Sequence, residues 1–142
     1  MKKNILVFVA LVIISFQGMA QDKAVLQKDL PKSITTYTQS HFPNQKIIQS
    51  EKDMDGLSFT YELVLDNATK LEFSNKGAII EVKSKSKLPD SVIPAKLLEY
   101  VKANYPNNYI TEWKMQRNKQ EIELDNKLEL EFNKNGDFLR ID

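Results

Sequence analysis

The chain has 142 residues, with 20 basic side chains, 19 acidic ones and no cysteine. A formal charge of +1 excludes the basic excess that nucleic acid or an anionic membrane surface selects. The missing thiols exclude disulfides, thiolate catalysis and cysteine metal centres, so an apolar core must hold the fold.

The first twenty residues read as an export signal. Lys2 and Lys3 precede an apolar run from Ile5 to Ile14, and Gly18-Met19-Ala20 supplies small residues before Gln21. The run is shorter than the ~18–20 residues a bilayer span needs. No cysteine follows it for lipid attachment. Removing 20 of 142 residues leaves 122, with 18 basic against 19 acidic groups and a net charge of −1. A single domain over 21–142 is expected, without membrane contact after cleavage.

That domain contains an internal repeat. Pro31, Ile34, Tyr37, His41, Phe42, Pro43 and Ile47 fall 63 residues before Pro94, Leu97, Tyr100, Asn104, Tyr105, Pro106 and Ile110. Further on the offset is 59: Asp66-Asn67 matches Asp125-Asn126, Leu71-Glu72-Phe73 matches Leu130-Glu131-Phe132, and Gly77 matches Gly136. The change implies a four-residue deletion between Ile110 and Asp125, in a hairpin loop where length changes are tolerated. Repeat one is expected over 30–83 and repeat two over 93–142.

In chain order, Pro31 opens a helix whose apolar stripe is Ile34, Tyr37, His41 and Phe42, and Pro43 ends it. A strand Ile47–Lys52 follows, then Phe59, Tyr61, Leu63 and Leu65 alternate with Thr60, Glu62 and Val64. After a turn at Asp66-Asn67 come Leu71 and Phe73, then a turn at Asn75-Lys76-Gly77, then Ile80 and Val82. Lys83–Ser91 reads as a linker. The second copy repeats the order with Pro94, Leu97, Tyr100, Val101 and Tyr105 on its helix. Its strands carry Trp113 and Met115, Ile122 and Leu124, Leu128 to Phe132, and Leu139 and Ile141.

The expected fold is α+β: two tandem α-β4 repeats forming one antiparallel sheet of about eight strands, with two helices on its apolar face. The other face would turn Glu62, Lys70, Glu72, Glu121, Glu123, Glu129 and Glu131 to solvent.

A proline opening a helix, an aromatic-Pro pair ending it, a Trp on the next strand and a glycine turn before the last strand resemble the PepSY-like, or beta-lactamase-inhibitor-protein-like, proteins. These are small exported proteins, common in Bacteroidetes, with tandem α-β4 repeats. The likeness covers about 30–142. Repeat one departs from it, with Ser50 where repeat two has Trp113. The resemblance implies the fold. It implies for function a grip on an enzyme, such as a peptidase, by a concave sheet face and protruding loops. Fold alone does not confer a site.

The residues offer little catalytic chemistry. His41 is the only histidine, lies on the inward helical stripe, and is matched by Asn104; no G-x-S-x-G elbow accompanies it. Glu51, Asp53, Asp55, Gly56 and Glu62 approach a calcium-loop pattern, but strands flank them where helices are needed. Trp113 and Met115 share a strand face and read as core, with Tyr109 nearby. No catalytic residue, cofactor or metal is expected. The expected function is an exported, non-catalytic protein-binding module restraining a peptidase or other hydrolase. Its partner-facing residues would be Met54, Asp55 and Gly56 in one loop, Arg117 in another, and Glu62, Glu72, Glu121, Glu123 and Glu131 on the sheet. The alternative is an envelope structural or stress protein, or a weak divalent-cation binder.

Overall fold

Proline punctuation and two-residue alternation place the elements. In the computed structural model, which describes residues 23–142, Pro31 and Pro94 stand immediately before helices α1 (Lys32–His41) and α2 (Ala95–Asn104). Their fixed φ of −52° in both cases starts the turn, and the Pro31 and Pro94 carbonyls accept the first helical N–H bonds. Phe42 and Tyr105 leave helical geometry with almost identical φ of −133° and −132°, and Pro43 and Pro106 forbid continuation.

Among the described residues, nine strands form one antiparallel sheet in simple chain order. They are β1 (Lys23–Ala24), β2 (Ile47–Asp55), β3 (Ser58–Leu65), β4 (Lys70–Ser74), β5 (Ile79–Lys83), β6 (Ile110–Gln116), β7 (Lys119–Leu124), β8 (Glu129–Asn133) and β9 (Phe138–Ile141). Eight of these fulfil the expected pair of α-β4 units; β1 was not read from the sequence. The expected export signal, residues 1–20, lies outside the described residues.

The core lies between the helices and one sheet face. Ile34 of α1 and Leu97 of α2 are fully buried there with Leu63, Leu65, Leu71, Phe73, Ile122, Leu124, Leu130 and Phe132. Each such side chain contributes roughly 1.5–3 kcal/mol through removal from water. Tyr37 packs edge-on against Phe73 at 5.5 Å, and Tyr100 against Phe132 at 5.3 Å. The two halves are therefore equivalent at their centres.

Three expectations need correction. Ile80 and Leu139 do not face the core. A bulge in each last hairpin pairs Phe73 with Ile79 and Phe132 with Phe138, so Ile79 and Phe138 point inward. Strict alternation missed the extra residue. The linker after β5 is not mere tether: Leu88 is buried, and a 3-10 turn at Asp90–Val92 leads into α2. Glu131, expected in solvent, is only 4% exposed.

Candidate functional site

The open sheet face is a charged grid set by strand register. One cross-strand row runs Glu51, Glu62, Glu72, Glu81, Lys114, Glu121, Glu131 and Arg140, one residue per strand from β2 to β9. The next row holds Lys70, Lys83, Glu112, Glu123 and Glu129. Thus Glu62, Glu72, Glu121 and Glu131, expected to face a partner, stand in one line, with Glu123 in the adjacent one.

The two halves of that row differ electrostatically. On β2 to β5 four carboxylates occupy neighbouring strands. Partial burial raises the Glu72 carboxyl above the usual carboxylate range, and the Glu81 charge adds to it; a hydrogen bond from Thr60 opposes both. Burial likewise raises Glu121. Toward β9 the cations close in. Lys119 lies 2.6 Å from Glu131 and Arg140 3.1 Å from it, holding that carboxyl below its ordinary value. Lys127, 2.6 Å from Glu123, does the same there. This explains the buried Glu131: its charge is paired on two sides under long aliphatic stems.

Over the acidic half lies a shallow trough of ≈ 630 Å³ across β2 to β5, lined by Glu51, Glu62, Glu72, Glu81, Lys70 and Lys83 among others. A separate cleft of ≈ 370 Å³ lies between α1 and the start of β2, lined by Thr38, Phe42 and Ile47 among others.

The loop residues Met54, Asp55 and Gly56 close the β2–β3 hairpin, and Arg117 closes β6–β7. Both turns use left-handed backbone, φ +61° at Gly56 and +38° at Arg117. The first hairpin is two residues longer on each strand, roughly 7 Å of extra reach. Its tip carries Met54, 40% exposed, and Leu57, 107% exposed. Leu57 was missed from the sequence; an apolar residue directly after a turn glycine was the available signal.

Glu51, Asp53, Asp55 and Glu62 lie along an extended hairpin, with alternate residues on one strand ~7 Å apart. No group of three or more metal-ligating side chains is gathered among the described residues. His41 Nδ1 lies 2.9 Å from Ser91 Oγ, a pairing the sequence did not reveal. The neighbouring Asp90 is engaged by Lys87 and Lys102. Trp113 is buried and donates from Nε1 to Gln120 Oε1 at 3.1 Å. Tyr109 is exposed.

A duplicated helix-on-sheet scaffold with a projecting apolar hairpin and a charged open face defines a class of small tandem-repeat α+β domains. The chain belongs to the PepSY-like, beta-lactamase-inhibitor-like family, whose model matches it twice, over 18–81 and 59–140. Solved structures agree. One from Bacteroides thetaiotaomicron, described as a "putative calcium-regulated periplasmic protein", is 30% identical, with a TM-score of 0.82 over 85% of this chain and 96% of that one. A periplasmic protein of the DUF2874 family from Bacteroides vulgatus is 30% identical, with a TM-score of 0.83 over 88% and 99%. Another periplasmic protein from Bacteroides vulgatus, of unknown function, is 26% identical, with a TM-score of 0.81 over 86% and 99%. No curated protein matches the chain.

Proposed function

We propose that this is an exported, non-catalytic protein-binding module that restrains a hydrolase, such as a peptidase, by docking it with the β2–β3 tip and the open sheet face. The observation that carries this reading is the tip: Met54 and Leu57 are held in water on the longer hairpin, where an apolar anchor contributes nothing to the core. The inhibitor-like family description and the periplasmic neighbours support both the binding role and the exported location. The acidic row would add steering and orientation more than affinity. The test is capture from a native periplasmic fraction with the unaltered protein and with Leu57→Asp, followed by activity assays on whatever hydrolase is recovered. A partner lost with Leu57→Asp and slowed by the unaltered protein is the expected result. Recovery of nothing above background, or of the same partners by both proteins, removes the reading.

A second reading, a calcium-responsive envelope protein, rests on the description of the Bacteroides thetaiotaomicron neighbour. In this chain Glu51 stands opposite Glu62, and Glu72 opposite Glu81, on neighbouring strands. A calcium-dependent rise in melting temperature, lost with Glu62→Gln, would favour it through linkage. An unchanged melting temperature at millimolar calcium would dismiss it.

A further inference from the structure

Between the repeats, β5 joins β6 through three pairs: Glu81 with Lys114, Val82 with Trp113, and Lys83 with Glu112. The 63-residue offset carries those β6 positions onto Glu51, Ser50 and Gln49 of β2. The 59-residue offset carries those β5 positions onto Arg140, Ile141 and Asp142 at β9. So β9 presents the edge that β5 presents, and β2 the edge that receives it. Val82 is fully buried at the internal junction, whereas Ile141 is 52% exposed, with no strand beyond it among the described residues.

At the opposite end of the sheet the receiving edge is covered by β1. Ala24 pairs with Glu51, and the Val25 N–H donates to the Ser50 carbonyl at 2.8 Å. The Ser50 hydroxyl donates in return to the Val25 carbonyl. Val25 thus stands where Val82 stands, in the same strand direction. This cover is two residues long against a nine-residue strand.

We propose that a second copy of this chain is the partner of the β9 edge. β9 of one copy replaces β1 on β2 of the next, antiparallel and in the internal register. Arg140 then faces Glu51, the sign-reversed form of the Glu81–Lys114 pair, and Ile141 loses its exposure against Ser50. The contact is head to tail, so it extends into open chains or closes as a ring. β1 competes from within the same molecule at high effective concentration. Assembly therefore grows when β1 is disengaged.

Sedimentation of the full chain and of Val25→Pro, which lacks the donor to Ser50, tests this across a wide concentration range. The unaltered chain is expected to associate least and Val25→Pro to form dimers and longer species. Adding Arg140→Glu should return Val25→Pro to monomers, and adding Glu51→Arg to that protein should restore association. A folded Val25→Pro that stays monomeric throughout overturns the proposal, as does association indifferent to both charge reversals. Should Val25→Pro not fold, the native absence of cysteine provides a second measurement. Oxidised Ser50→Cys/Ile141→Cys should give a chain-to-chain ladder on a non-reducing gel, and Ser50→Cys/Leu139→Cys should not. No ladder, or equal ladders from both, also overturns it.

Discussion

Tyr37 meets Phe73 and Tyr100 meets Phe132 at nearly the same distance and angle, yet Ser50 and Trp113, at matching places on β2 and β6, have unlike surroundings. The first two pairs lie where helix presses on sheet, and that geometry is the same in both repeats. Ser50 and Trp113 lie where each repeat meets its neighbour. Trp113 has the other repeat across the edge and fills the junction. Ser50 has only the two-residue β1 and serves it with a hydroxyl. Duplication preserves what a unit needs within itself and releases what depends on the next unit.

Trp113→Ser, which gives repeat two the residue of repeat one, should break this comparison most strongly. The loss of a buried indole between the repeats is expected to cost ~3–5 kcal/mol in urea unfolding. The reverse exchange, Ser50→Trp, should cost less, about 1 kcal/mol, chiefly through the lost hydrogen bond from the Ser50 hydroxyl to the Val25 carbonyl. Phe73→Ala and Phe132→Ala should each lose about 3–5 kcal/mol. Phe132 is expected to lose more, since it also contacts Phe138, 5.8 Å away between centroids.

The turn glycines sharpen the contrast on a smaller scale. Gly77 and Gly136 hold φ of +77° and +83°. A Cβ on Gly136 would come within 3.0 Å of Leu97 Cδ1, and one on Gly77 would strike the Ser33 hydroxyl. A Cβ on Gly56 would meet nothing within 4 Å. Replacement by Ala should cost ~1–2 kcal/mol at Gly56, from backbone conformation alone, and more at Gly136. Thermal melts of the three variants check the order.

The smallest effects should come from pH. The lowered Glu123 and Glu131 carboxyls stabilise the fold above their unfolded values, and that contribution disappears as pH falls through their folded ones. The raised Glu72 and Glu121 carboxyls act oppositely: ionised, they cost stability, and the cost is relieved as pH falls through their folded values. Glu131→Gln should therefore lower the neutral-pH melting temperature and reduce acid sensitivity. Glu72→Gln should raise that temperature. Melts from neutral pH to ~3, across the carboxylate range, measure both.

Much of this architecture is legible because its signals are local. Proline placement, the helical stripe, the alternation on β3 and β7, and the paired Asx and glycine turns need only near neighbours. The bulges at Ile80 and Leu139, two of four register shifts in the sheet, were not legible, because an inserted residue shifts only register. Leu57 at the hairpin tip needed the hairpin's reach to be known. The Ser91–His41 contact spans 50 residues and has no sequence signature.

By itself the sequence determined the duplicated unit, its helix and strand order, the residues at its centre and the absence of cysteine chemistry. Backbone propensity and burial periodicity act within a few residues, and the same pattern written twice yields the same unit twice. Only the tertiary structure decided which carboxylates align across strands, that Glu131 is buried between two cations, and that, among the described residues, β1 occupies one edge while no strand lies beyond β9 at the other. Those outcomes depend on register between distant segments, where a shift of one residue exchanges the two faces of a strand.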